Sequence, residues 1–499
     1  MDLLSNLAMG LGTALEPINL LYCFIGVFLG TAVGVLPGLG PVATIAMLLP
    51  LTFGLTPEAS LIMLAGIFYG AQYGGSTTAI LINLPGESSS VVTAIDGYQM
   101  AKNGHAGQAL ATAALGSFFA GSAATLILAL FAPPLAAVAL EFGPAEYFSL
   151  MVLGLVASIA LASGSLLKAF IMILLGLLLG LVGTDVNAGT TRFTFGLPEL
   201  ADGLSFVALS MGVFGLGEII RNLEHEHTRS VMVKSVGGKM LSKADFRRII
   251  GPVLRGTGIG SVLGILPGGG AMLASFAAYS LEKKFSKNKS EFGKGAIEGV
   301  AAPESANNAG AQTSFIPMLT LGIPSNPVMA LMVGAMIIQG ITPGPNVVND
   351  EPVLFWGLIA SMWVGNALLV LLNLPLIGIW VRMLSIPYHL LFPAIIAFCC
   401  IGAFSVNNNT FDLFAMALFG GVGYLLVKLD FEPAPLLLGF VLGPMLEENL
   451  RRAMTISRGD ATVFITHPLS LGLLVCSAAL LIVVLLPSIR SKREEAFQE

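Results

Sequence analysis

The chain has 499 residues, 55% of them hydrophobic and only 11% charged, with a formal net charge of −5 and a mean hydropathy of +0.86. An ordinary soluble domain carries about 25% charged residues, so the composition excludes one and implies a polytopic membrane protein with no nucleic-acid partner. Four cysteines, Cys23, Cys399, Cys400 and Cys476, sit in apolar runs without metal-ligand spacing and read as packing residues.

No Lys or Arg precedes the first apolar run, so a cleaved signal peptide is not expected. Apolar runs near or above the ~20 residues that span a bilayer lie at 108–131, 145–162, 166–183, 204–220, 353–373, 387–404, 411–427 and 463–486. Shorter or broken runs lie at 18–55, 59–84, 250–280, 309–341 and 434–446.

One of these interruptions occurs twice. Gly30 to Gly40 reads GTAVGVLPGLG and Gly260 to Gly270 reads GSVLGILPGGG, an offset of 230 residues with six of eleven positions identical. A Leu-Pro-Gly-x-Gly break at bilayer depth frees backbone groups that only protein or a polar cavity can satisfy. Paired breaks in two halves of a chain point to a transporter's binding site. Arg247, Arg248 and Arg255 flank the second break on one side, and Lys283, Lys284, Lys287 and Lys289 on the other. Both ends therefore face the cytoplasm. Arms of roughly 14 residues rise only about 21 Å, so this segment reads as a re-entrant hairpin. The first copy is flanked by Glu16 and Glu58 without nearby cations, which places it on the far side and makes the repeat inverted.

The segments after each break agree in part. Ala71-Gln72 matches Ala311-Gln312, and Leu84-Pro85 falls on Ile323-Pro324 after one gap. The expected architecture is all-α and polytopic, with about 10–12 transmembrane helices and two re-entrant helical hairpins in an inverted repeat. The first repeat is 1–220 (hairpin 18–57, polar broken helix 59–87, scaffold spans), followed by a basic cytoplasmic linker at 221–249. The second is 250–450 (hairpin 250–280, polar broken helix 296–326, scaffold spans), and 451–499 forms a C-terminal span and cytoplasmic tail. Arg451, Arg452 and Arg458 precede the last span and oppose the topology. Either they pair with Glu447 and Glu448 in an interfacial helix, or the span count near residue 440 shifts.

Three constellations carry chemistry. In Tyr69 to Asn83, a Gly74-Gly75 pair lets the chain open, and Ser76, Thr77 and Thr78 beyond it offer a helix N-terminus suited to an anionic group. Gln72 and Asn83 add amides that helix packing alone does not need. In Ala302 to Ser314, Glu304, Asn307 and Asn308 share one helix face. A carboxylate at mid-bilayer costs about 3 kcal/mol and usually works with ions or protons, although Pro303 with Glu304 also fits a plain helix start at the membrane surface. In the breaks, freed carbonyls near Gly38, Gly40, Gly268, Gly269 and Gly270 suit a hard cation such as sodium. GILPGGGAM lacks the Lys-Ser/Thr of a phosphate-binding loop.

YGGSTTAILINLPGE, GILPGGG and APESANNAGAQTSFIPMLTLGIPSN together resemble the signature stretches of the large membrane subunit of the tripartite tricarboxylate transporters, over nearly the whole chain. The resemblance implies a secondary transporter of a bacterial inner membrane, multi-pass, with a small four-span membrane subunit and a periplasmic substrate-binding protein as partners. It implies uptake of a small carboxylate driven by Na+ or H+, no cofactor, and an elevator-like motion of the hairpin units. The substrate-binding positions expected are Ser76, Thr77, Thr78, Asn83, Pro85, Gly86, Asn307, Asn308, Pro324 and Ser325, with the hydroxyls of Ser76, Thr77 and Thr78 and the amides of Asn307 and Asn308 as neutral donors, and ion coupling is expected at Glu304 and the glycines of the breaks. Ala311 to Ser314 departs from the apolar or Gly-rich stretch expected there, which leaves the substrate open. A stand-alone carboxylate symporter is the alternative. An intramembrane enzyme would need a nucleophile and base, a zinc motif or paired acids at helical spacing, and the sequence offers none beside Glu304.

Overall fold

The computed structural model describes residues 3–36, 39–161, 165–185, 188–224, 241–266, 270–384 and 388–485. The fold is all-α and polytopic. Among the described residues six helices are long and apolar enough to cross a membrane: Pro17–Gly34, Ala106–Ala139, Phe206–Glu224, Pro352–Asn373, Thr410–Lys428 and Pro468–Leu485. Six shorter apolar helices accompany them. The only strands among those residues are a two-residue antiparallel pair, Gly183–Thr184 with Thr191–Arg192.

Both breaks separate two helices. Pro17–Gly34 is followed by Pro41–Leu48, and Lys243–Leu263 by Gly270–Phe285. The arms are longer than the roughly 14 residues expected, at 18 and 21 residues for the leading helices. Lys243 to Arg248 explains the second, because a Ser242–Asp245 capping box starts the helix a turn and a half before its apolar part.

Each leading arm packs on the polar helix that follows it, Pro17–Gly34 on Pro57–Ile82 and Lys243–Leu263 on Glu298–Thr313. The contact is backbone to backbone. A Cβ at Gly26, Gly30 or Gly34 would run into the carbonyls of Met63, Ile67 and Ala71, and one at Gly256, Gly260 or Gly264 into those of Ala302, Ala306 and Gly310. The glycines keep the 230-residue offset, whereas their partners are 239 residues apart. The same 239 relates Asn83 (φ 57°) to Gly322 (φ 71°), both in left-handed conformation, and Pro85 to Pro324. The polar segments therefore correspond without a gap, one residue out of the register that Ala71-Gln72 and Ala311-Gln312 suggested.

The two trailing arms have unequal surroundings. Pro41–Leu48 buries six of its eight residues against Phe206–Ser210, the adjoining π-helical turn Met211–Leu216, Pro327–Ile338 and Tyr388–Asn407. Met47 lies under Gly215, and Pro50 under Gly402. Gly270–Phe285 buries five of sixteen and packs chiefly on its own hairpin, the Glu298–Thr313 helix and the Ser88–Ser90 turn.

Arg451 and Arg452 pair with Glu447 (2.6 Å) and Glu448 (2.5 Å) one turn earlier in Ala434–Ile456, and Arg451 also reaches Asp185 at 2.9 Å. Of the two explanations for these arginines, pairing is the one the structure displays.

Candidate functional site

The first polar helix, Pro57–Ile82, starts where Thr56 Oγ1 accepts from the Ala59 amide, with Pro57 in the first turn. It does not open at Gly74-Gly75, contrary to the expectation of a break and a new helix N-terminus. Thr77 and Thr78 turn their hydroxyls back onto the carbonyls of Tyr73 and Gly75 at 3.0 and 2.8 Å, and Ser76 Oγ lies 3.1 Å from Gln72 O, all within an unbroken helix. Gly74 instead admits the end of the leading arm, where a Cβ would come within 2.7 Å of Thr31 O, and Gly75 the returning exit loop. The Gly86 amide donates to Gly75 O at 3.4 Å, and a Cβ on Gly86 would come within 2.5 Å of Gly75 Cα.

The second polar helix, Glu298–Thr313, continues through Ser314 into Phe315–Leu321. It begins five residues before Pro303, so the surface helix start considered for Glu304 is not what forms. Arg248 clamps Glu298 at 2.9 Å through both carboxylate oxygens, and Glu304 lies 1% exposed in the interior.

The facing sides of the two helices meet in one buried polar layer. Gln72 Nε2 donates to Asn307 Oδ1 at 3.3 Å, and Asn307 Nδ2 to Glu87 Oε1 at 2.8 Å. The Glu304 carboxylate accepts from Thr93 at 2.5 Å, from Ser76 at 2.9 Å and from Ser117 at 3.4 Å. Asn308 donates to Ser117 Oγ at 2.7 Å. Ser76, Glu304, Asn307 and Asn308 are thus brought together. Thr93, on Val91–Lys102, and Ser117, on Ala106–Ala139, escaped the sequence reading because neither belongs to a polar cluster in the sequence.

The other expected residues lie around this layer or outside it. Thr77 and Thr78 are buried but spend their hydroxyls within their own helix. Asn83 is exposed, in the left-handed turn that ends the helix, so it caps the chain and does not line the layer. Pro85 and Gly86 form the exit loop, and a Cβ on Gly40 would face Gly86 O at 3.4 Å. Pro324 and Ser325 are buried farther on, where Ser325 Oγ donates to Ser314 O at 3.3 Å, about 10 Å along the helix from Asn307. Gly270 opens the trailing arm and touches Gly264. Gly38, Gly268 and Gly269 lie outside the described residues.

A cleft of about 960 Å³ opens elsewhere, lined by Tyr147, Leu321, Thr342, Pro343, Asn346 and Arg452 among others. It borders the second exit loop and does not reach the Glu304 layer. The two helical halves are joined at another point: Asp96, fully buried, accepts from Tyr279 Oη (2.9 Å) and from the amides of Gly295 (2.8 Å) and Ala296 (2.9 Å).

Residues 20–438 match the Tripartite tricarboxylate transporter TctA family. Among curated proteins, the chain is 67% identical over its full length to an uncharacterized 52.8 kDa protein in the TAR-I ttuC' 3' region of Agrobacterium vitis, covering 99% of that protein. It is 68% identical, over 48% of its length, to an uncharacterized protein in the TAR-II ttuC' 3' region of the same organism, again covering 99% of that protein. No solved structure matches.

Proposed function

The chain belongs to the tripartite tricarboxylate transporter TctA family, and on that premise we propose that it is the large membrane subunit of a binding-protein-dependent secondary transporter in a bacterial inner membrane. It takes up tricarboxylates or related carboxylates with an ion gradient, beside a small four-span subunit and fed by a periplasmic binding protein. The two halves enter the membrane in opposite orientations, a reading supported by the basic residues around the second hairpin and the acidic ones around the first.

The observation that carries this reading is the buried layer between the polar helices. Gln72, Ser76, Asn307 and Asn308 place amides and hydroxyls inside an apolar protein, where packing alone would leave none. Such neutral donors hold a carboxylate weakly and release it quickly, which suits a membrane subunit supplied by a high-affinity partner.

The test is uptake by the reconstituted subunits in proteoliposomes. A charge-assisted hydrogen bond contributes about 1.5–3 kcal/mol, so Ser76→Ala and Asn307→Ala should each weaken transport by about ten- to a hundredfold without changing what the periplasmic partner binds. Unchanged transport in both moves the substrate elsewhere. Equal uptake without the periplasmic partner favours the stand-alone symporter.

A further inference from the structure

Glu304 belongs to the second half of the chain, yet all three of its hydroxyl donors, Ser76, Thr93 and Ser117, belong to the first and come from three different helices. Beside it, Gln72 Oε1 is buried without a partner, and the Gln72–Asn307 pair leads to a second carboxylate, Glu87.

The charged groups on the elements around the second polar helix are paired with one another or exposed; on Lys243–Leu263, Lys243 and Arg247 are exposed and Asp245 accepts from Ser242. On the same helix, Arg248 binds Glu298 and Glu291, and Arg255 binds Glu282 of Gly270–Phe285. Lys283 and Lys284 are exposed at the end of that arm, and Tyr279 is held by Asp96. Val91–Lys102 contributes Asp96 and the exposed Lys102, and Ala106–Ala139 carries no charge. Pro57–Ile82 brings Tyr69, Tyr73 and, at its far end, the half-buried Glu58. Among the described residues, no cation bonds to Glu304 or Glu87.

A buried carboxylate without a cation is costly as an anion, and a mobile cation or a proton relieves that cost. Spacing distinguishes the two candidates. Around a hard cation with ligands about 2.4 Å away, neighbouring oxygens stand about 3.4 Å apart. Thr93 and Ser76 approach the carboxylate to 2.5 and 2.9 Å, the distances of oxygens that share a proton, and Ser117 alone stands at the wider 3.4 Å. Hydroxyls also donate to a carboxylate and accept from a carboxylic acid, so one shell serves both protonation states. Asn308 occupies the Ser117 oxygen and leaves its hydrogen for Glu304.

Resting on the transporter reading above, we propose that Glu304 is the seat of the coupling proton, with Ser76, Thr93 and Ser117 as its exchange shell. The proton enters the Glu304 carboxylate on the substrate-loading side and leaves on the releasing side. Ser76, whose Oγ also lies 3.1 Å from the Gln72 carbonyl, joins this group to the Gln72–Asn307–Glu87 chain and so to the substrate.

The experiment uses the full chain with its partners in proteoliposomes, testing citrate, succinate and malate as substrates. In the wild type, a pH gradient without sodium drives accumulation, and uptake alkalinises an unbuffered exterior. Glu304→Gln should lose pH-driven accumulation at least tenfold yet still exchange internal for external carboxylate. Thr93→Val removes a donor to the anion and should move the alkaline limb of exchange upward by about one pH unit. Accumulation driven by sodium with no proton movement overturns the proposal. So does a Glu304→Gln protein that keeps pH-driven accumulation, or a folded one that loses exchange as well. Should Glu304→Gln not fold, an unmoved alkaline limb in Thr93→Val overturns it alone. Wild-type protein that neither takes up nor exchanges any carboxylate refutes the transporter reading together with this one, whereas exchange without pH-driven accumulation refutes this one alone.

Discussion

Asp96 offers the sharpest test of how the two halves are joined. Its carboxylate gathers the Tyr279 hydroxyl and the Gly295 and Ala296 amides at 2.8–2.9 Å, with no exposure to solvent. Asp96→Ala strands three donors. At about 1–3 kcal/mol for each buried unsatisfied group, and with water able to enter the space vacated, the loss should be about 3–5 kcal/mol. Asp96→Asn keeps one oxygen for the two amides, since both donate to Oδ1, and presents an NH2 group that the Tyr279 oxygen can accept. It should lose only about 1 kcal/mol. With at least 2 °C of melting temperature per kcal/mol, the alanine variant should melt about 6–10 °C lower in detergent and the asparagine variant about 2 °C lower. Uptake should follow the same order, because the second hairpin then parts from the first half. Equal losses in the two variants would refute the donor-based reasoning, and no loss in either would show that Asp96 does not fasten the halves.

Two further outcomes are expected. Gly260→Ala pushes a Cβ into the Ala306 carbonyl and should destabilise the chain by about 1–3 kcal/mol, whereas Gly258→Ala two residues earlier meets nothing within 4 Å and should gain up to about 1 kcal/mol in helix propensity; melting temperatures of the two decide. The Ser242 hydroxyl and amide hold the Asp245 carboxyl below its usual range. Because its folded value is depressed, its contribution is present above the unfolded value of about 3.9 and fades as pH falls through the folded one. Protection from hydrogen exchange at the start of the Lys243–Leu263 helix, taken relative to the intrinsic rate at each pH, should therefore be unchanged between pH 7 and 5 and fall below pH 4, and Asp245→Ala should show the lower protection throughout.

The repeat was legible because close backbone approach admits only glycine, so Gly30, Gly34, Gly260 and Gly264 had to persist whatever changed around them. The same rule misled at Gly74-Gly75, where glycines read as a break seat the end of the leading arm and a returning loop, which sequence spacing does not reveal. Glu304, Asn307 and Asn308 were legible as a shared helix face. Their partners were not, because Thr93 and Ser117 are assigned by tertiary contact and have no local pattern. Asn83 looked like a ligand by residue type, but its left-handed backbone at the helix end gives it the job Gly322 performs in the other half.

The unequal burial of the trailing arms bears on local stability. Two segments built on the same glycine frame have different free energies of local opening, because Pro41–Leu48 must strip apolar surface from four neighbouring elements to separate, while Gly270–Phe285 buries a smaller share of its residues. Sequence identity between the copies therefore does not make them thermally equivalent, and fluctuations that expose backbone should concentrate in the second.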